Sequence, residues 1–306
     1  MVKVNVKKIE ILKARYRYSI REIVDDFLRK KLDKGIRDFA KNELGIETVF
    51  KSFDFSKIDF FKNNFEEPQV GLNDMYYRIS KKVLSGTKPG NLDLLITIND
   101  NQQHLDPSPT VELVPRLSLK KNIRTQNFQG LACSSLSEAV LNSAGNFRLG
   151  NNESLVLIGT YYTPWFLDRI KQIKHISKKD KSNFYNLIYF LIFSDVVGAT
   201  VLSQKKSQAS IQIDSDFILT LKDTSKSGYD KATLKLSPDA KNRIIFDMNL
   251  NPSKLREMTA KLSLENLRLL KQKNPKEYEK IKIWGFHTAG KRFVDHITKK
   301  CQIGKS

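Results

Sequence analysis

Four acids stand close together in the first half of the chain: Asp93, Asp100, Asp106 and Glu112. Carboxylates converging on a divalent metal, with a lysine beside them, are what a nuclease requires. Here Glu112 is followed by Leu113 and Val114, so the acid–spacer–lysine half of the common nuclease pattern is missing. Three of the four acids fall in or beside a loop, where solvation alone accounts for them. Of four histidines, His287 and His296 are nine residues apart. That spacing places them on opposite faces of a helix, which makes them poor co-ligands. The two cysteines, Cys133 and Cys301, form neither a disulfide framework nor a metal-ligand spacing and read as plain residues of a reducing compartment. Gly304-Lys305-Ser306 ends like a P-loop but lacks the glycine and strand that should precede it. No Gly-x-Ser-x-Gly elbow occurs, and no Cys/His arrangement has local support. These residues point away from catalysis, and no cofactor and no metal is expected.

Binding chemistry is more conspicuous. Between Arg116 and Lys181 the chain carries eleven Lys or Arg against four acids, with Phe128, Phe147, Tyr161, Tyr162, Trp165 and Phe166 spaced among them. Cations hold a phosphate chain, and flat rings give bases a stacking surface. Arg116, Lys120, Lys121 and Arg124 precede a helix and read as phosphate contacts. Arg148 lies in a Gly/Asn turn whose amides could face a phosphate. Lys178, Lys179 and Lys181 form a basic turn, open to the simpler reading of an exposed loop. One of Tyr161 and Tyr162 belongs to the core, and so does Trp165. Arg169 and Lys174 lie on the wet side of a helix.

The elements that must position this band follow from composition and period. The 306 residues are 40% hydrophobic, ordinary for a globular chain, but carry a net charge of +20. Such self-repulsion is usually tolerated because a polyanion neutralises it; an AT-rich coding sequence is the bland alternative. Residues 1–17 alternate apolar and basic residues, as an edge strand or extended arm would. Ser19 and Glu22 have capping-box spacing, and the apolar residues that follow predict one helix of roughly 25 residues, stopped at Gly45. Further helices are expected over 73–84, 128–140, 165–176 and 184–202, and a strand over 92–98. Residues 208–248 alternate like a β-hairpin around Ser225–Asp230. Helices return at Pro252, Pro275 and near Thr288. The most apolar run, Leu187–Phe193, is far shorter than the ~20 residues that cross a bilayer, and the N-terminus lacks a signal-peptide core.

With these residues in view, the chain resembles the nucleocapsid proteins of segmented negative-strand RNA viruses of the bunyavirus order, the emaraviruses above all. The resemblance rests on Asn127-Phe128-Gln129-Gly130-Leu131-Ala132-Cys133, on Asn146-Phe147-Arg148-Leu149-Gly150, on Gly159-Thr160-Tyr161-Tyr162 and on the tail Ile283-Trp284-Gly285-Phe286 with Thr288–Phe293. It implies a mainly α fold with two helical lobes, an RNA groove between them, a small β-hairpin insertion and terminal arms. The corresponding segments are an arm over 1–18, a lobe over 19–160, a second lobe over 161–273 containing the β-like 208–248, and a helical arm over 274–306. It implies a non-enzymatic coat for single-stranded RNA in the virion and host cytoplasm. RNA would be held by Arg116, Lys120, Lys121, Arg124, Asn127, Arg148, Tyr161, Tyr162, Arg169, Lys174, Lys178, Lys179, Lys181, Lys205 and Lys206. Its partners would be other copies of the chain, through the arms, and a viral polymerase, without integral membrane association. The alternatives are a restriction-type metal nuclease with a basic cleft and a viral movement or matrix-type protein.

Overall fold

The strand Leu94–Asn99 (β4) is buried at every position, the mark of a strand covered on both faces. It is the centre of the parallel part of a six-stranded sheet. In the computed structural model the described residues are 2–62, 64, 66–99, 107–129, 135–206, 211–214, 218, 232–236, 244–248, 252–281, 295 and 298–299. β4 pairs in parallel with Arg124–Phe128 (β5) on one side and Glu153–Thr160 (β6) on the other. Beyond β6 the directions alternate: Val196–Ser203 (β7), Lys3–Lys13 (β1) and Ile211–Asp214 (β8) each run antiparallel to the strand before. The order across the sheet is β5-β4-β6-β7-β1-β8.

Helices cover both faces. Alternation along β4 sends Leu95 toward a cluster with Leu72, Met75, Tyr76 and Ile79 of Leu72–Val83 (α3) and Leu113 of Pro109–Arg116 (α4). Leu94, Ile96 and Ile98 pack on the other side with Ala139, Val140, Ala144 and Phe147 of Ser135–Arg148 (α5). Gly150, at φ +87, follows α5 and its amide donates to Phe147 O at 3.1 Å, closing the helix end. A separate core unites Tyr16–Ser19 (β2), Ile20–Glu22 (α1), Lys34–Asn42 (α2), Thr48–Lys51 (β3), Thr163–Gln172 (α6) and Lys181–Ile192 (α7). Ala232–Leu236 (β9) and Ile244–Met248 (β10) pair with each other. Pro252–Lys273 (α8) and Pro275–Glu279 (α9) follow. Among the described residues no helix is long and apolar enough to cross a membrane.

This mixed α/β architecture replaces the expected mainly α fold of two helical lobes. Residues 1–17 are no free arm, since β1 lies between two strands of the sheet. The capping box is present: Glu22 N donates to Ser19 Oγ at 3.1 Å and Ser19 N to the Glu22 carboxylate at 2.6 Å. The long helix after it is not. A π turn at Ile23–Phe27 and a 3₁₀ turn at Arg29–Lys31 break it, and Leu32 turns extended to bridge Ile176. Lys31 is buried, and its ammonium donates to the carbonyls of Ile170, Lys171 and Ile173 at 2.9, 2.9 and 2.5 Å. The helix expected over 184–202 is α7 followed by β7, and the one over 128–140 is the end of β5 followed by α5. β9 pairs with β10, not with the strand at 211–214; the hairpin loop Ser225–Asp230 and the helix near Thr288 fall outside the described residues.

Candidate functional site at the carboxyl ends of the parallel strands

In open α/β sheets the carboxyl ends of the parallel strands are where ligands meet the protein. Three strands, β5, β4 and β6, point there together. β4 ends at Asn99, which is 1% exposed, and neither polar atom of its side chain has a hydrogen-bond partner among the described residues. Two residues earlier Thr97 Oγ1 donates to Asn127 Oδ1 of β5 at 2.6 Å. Tyr76 of α3 donates to Ile98 O at 2.9 Å. Opposite Asn99 in register is Gly159 of β6, where a Cβ would sit 2.5 Å from the Tyr76 hydroxyl and 2.7 Å from Leu72 Cδ1. Beyond β6, Tyr161 is buried, donates to Val70 O at 3.0 Å, and burial raises its pKa. Asp195 then ties the start of α6 down, accepting from Thr163 N at 3.0 Å, Ser52 N at 2.8 Å and Ser52 Oγ at 2.7 Å.

Two connections leave these strand ends. Residues 100–106, with His104 and Asp106, lead from β4 toward α4; residues 129–134, with Cys133, lead from β5 to α5. Residues 100–106 and 130–134 fall outside the described residues, as do His287 and His296. Of the four acids weighed as metal ligands, Asp93 is engaged at the opposite, amino end of the strands. Its carboxylate takes Lys120 Nζ and the Asn152 amide, the latter at 2.7 Å. Burial works against that charge, but the Asn152 amide and Lys120 more than offset it and hold its pKa below the usual range. Glu112 accepts from Asn73 and from Arg116, the latter at 3.0 Å. No group of three metal-ligating side chains occurs among the described residues.

The basic band is divided between two of the cores. Arg116 is held by Asp74 at 2.7 Å and Glu112 at 3.0 Å, with its guanidinium 4.7 Å from the Tyr77 ring centre. Lys120 pairs with Asp93, Arg124 Nη1 donates to Asn146 Oδ1 at 3.5 Å, and Lys121 is exposed. This group sits on the sheet, where Leu117 and Leu119 join the α3 cluster. Lys174, Lys178, Lys179 and Lys181 are exposed on a turn whose Ile173 and Ile176 belong to the separate β2–α7 core. Arg148 is exposed at the end of α5, Arg169 Nη2 donates to Asn183 Oδ1 at 3.1 Å, and Lys205 and Lys206 are exposed past β7. Tyr161 and Tyr162 are both buried, Trp165 packs on the core, and Asn127, on the edge strand β5, accepts from Thr97.

No protein-family model and no curated protein matches the sequence. Solved structures do match, and at 14–16% identity the likeness is one of fold. Germicidin synthase from Streptomyces coelicolor, a type III polyketide synthase, superposes with a TM-score of 0.72 at 16% identity, over 98% of this chain and 83% of that one. OleA of Xanthomonas campestris gives 0.71 at 14%, over 98% and 82%. AbyA1, a tetronic acid condensing enzyme, gives 0.66 at 15%, over 98% and 83%. The nucleocapsid resemblance is thereby overturned, and with it the RNA coat, the viral partners and the virion vocabulary that it implied. The nuclease and movement-protein alternatives find no support in this fold. The non-enzymatic reading, drawn from the missing catalytic motifs and from the coat-protein resemblance, runs against these neighbours, which are a synthase and a condensing enzyme.

Proposed function

We propose that the chain is an acyl-condensing enzyme that carries its acyl group on Cys133. One observation bears most of the weight: Cys133 stands in the connection from the carboxyl end of β5 to the amino end of the 14-residue helix α5. The thiolate of a cysteine is a nucleophile suited to acyl transfer. OleA has been solved with a cysteine, a histidine or a glutamate replaced, and with lauric acid and lauroyl-CoA bound. In OleA the glutamate precedes the cysteine and the histidine follows far downstream. An aspartate, Asp106, a cysteine, Cys133, and a histidine, His287, follow one another in this chain too, acid first and histidine last.

In this reading the Cys133 thiolate attacks the carbonyl of an acyl thioester, forming a new thioester and expelling the carrier thiolate, which takes up a proton. A carbon nucleophile then displaces Cys133 from the acyl group, making the carbon–carbon bond. His287 serves as the proton acceptor that a cysteine nucleophile uses, and Asp106 as a carboxylate able to deprotonate the attacking carbon.

Lauroyl-CoA as the probe tests this. Intact-protein and peptide mass spectrometry should place one lauroyl group on Cys133, with release of free CoA. Cys133→Ala should abolish the adduct and Cys301→Ala should retain it. His287→Ala should slow acylation roughly a hundredfold, the usual size of a general-base contribution. Labelling that persists in Cys133→Ala would end the proposal, as would a wild-type protein that acylates with neither lauroyl-CoA nor acetyl-CoA.

A further inference from the structure

Beside the β2–α7 core two segments distant in sequence join into one basic face. Ile176 N donates to Lys31 O at 2.8 Å, and Leu32 bridges Ile176 in parallel. The turn carrying Lys174 and Lys178–Lys181 therefore abuts Arg29, Lys30 and the start of α2. Lys178 Nζ lies 5.2 Å from the Phe39 ring centre of α2, and Phe39 lies 5.8 Å from Phe184 of α7. At the other edge Phe61, 55% exposed, lies 5.3 Å from the Lys31 ammonium. Contact thus runs unbroken from Phe61 through Lys31 to the basic turn.

The acids of this face are mostly engaged. Asp33 pairs with His175 at 2.8 Å, and Asp25 with Lys41 at 3.1 Å and Arg37 at 3.6 Å. Asp59 pairs with Lys62 at 3.5 Å and Glu66 with Lys171 at 3.0 Å, while Asp180 caps α7 by accepting from Asn183 N at 3.1 Å. Asp26 and Glu67 are exposed acids outside these pairs. Against them stand Arg29, Lys30, Lys174, Lys178, Lys179 and Lys181, all exposed.

We propose that this face docks the protein on an anionic lipid bilayer, with Phe61 entering the headgroup boundary and the surrounding cations facing the lipid phosphates. Basic residues near an anionic leaflet each strengthen partitioning, by roughly fivefold, and an apolar side chain amid them adds burial. A nucleic acid would require several rings open for stacking; here Phe39 and Phe184 pack against each other, and among the described residues Phe61 is the exposed aromatic of the face. The proposal stands independently of the role given to Cys133.

Flotation of the full chain with phosphatidylcholine vesicles, with and without phosphatidylglycerol, tests it. Binding should need phosphatidylglycerol and fade in high salt. The triple change Lys174→Glu, Lys179→Glu, Lys181→Glu should lower the partition coefficient at least a hundredfold, with an unchanged circular-dichroism melt. Phe61→Ser should lower it severalfold while keeping the salt dependence. Equal binding to neutral vesicles would overturn the proposal, as would undiminished binding by the triple variant. So would a face that captures polyglutamate or RNA and leaves the vesicles free.

Discussion

Asp195 and Lys51 form a buried pair of unusual construction. Asp195 is inaccessible to solvent and Lys51 is 1% exposed. Yet the hydrogen bonds of the lysine go elsewhere, to the carbonyls of Phe190 and Phe193 at 2.6 and 2.7 Å, and its ammonium lies 4.6 Å from the Phe190 ring centre. Lys51 thereby satisfies the end of α7, while Asp195 gathers β3 and the start of α6. Burial pushes the Lys51 pKa down to about 8, and the Asp195 charge works the other way. The ordinary value is 10.5. Between these two values the unfolded chain keeps a proton that the folded chain has released, so stability rises with pH across that window. Below about 8 both states hold the proton, and the cost of burying the charge is borne in full. Denaturant unfolding at pH 8 and pH 10 should show the rise. Lys51→Met should flatten it relative to the wild type, and parallel slopes for the two proteins would place the proton elsewhere.

Elements that meet through sequence-local signals were legible, and those made by long-range pairing were less so. The helix expected over 73–84 is α3 within a residue, and the strand expected over 92–98 is β4. In contrast, Arg124–Phe128 has no apolar alternation, and it becomes a strand because β4 offers it a parallel partner. Reading that stretch as the start of a helix placed Cys133 inside the helix. In sequence the cysteine lies after β5 and before α5, outside both elements. Val196–Ser203 was read into the preceding helix because only Ser194 and Asp195 separate the two apolar runs. The close packing of α3 on the sheet has its own test. At Gly159 any side chain meets the Tyr76 hydroxyl and Leu72 within 3 Å, so Gly159→Ala should cost about 2 kcal/mol of overpacking. Chemical denaturation would measure it. Gly198, where the nearest atom to an added Cβ is at 3.7 Å, is the control and should lose less.

At the scale of the molecule the charge of +20 was read correctly as an excess and wrongly as a single feature. The fold sorts the cations into two populations that composition cannot separate. Some complete the architecture: Lys120 pairs with Asp93, whose backbone also binds Glu153 O at 2.9 Å and Arg124 N at 3.0 Å. That one aspartate thus fastens the amino ends of β4, β5 and β6. Others, such as Lys121 one residue on, are exposed and make no ion pair among the described residues. Reversing neighbouring charges should therefore have unequal effects. Lys120→Glu places a carboxylate against the part-buried Asp93 carboxylate and should destabilise the protein by roughly 2–4 kcal/mol. Lys121→Glu should stay within about 0.5 kcal/mol, as exposed substitutions do, or stabilise slightly by relieving self-repulsion. Unfolding of the two variants side by side in low salt measures the difference. If both prove neutral, the Lys120–Asp93 pair does not hold the strand ends, and the excess charge is uniform after all.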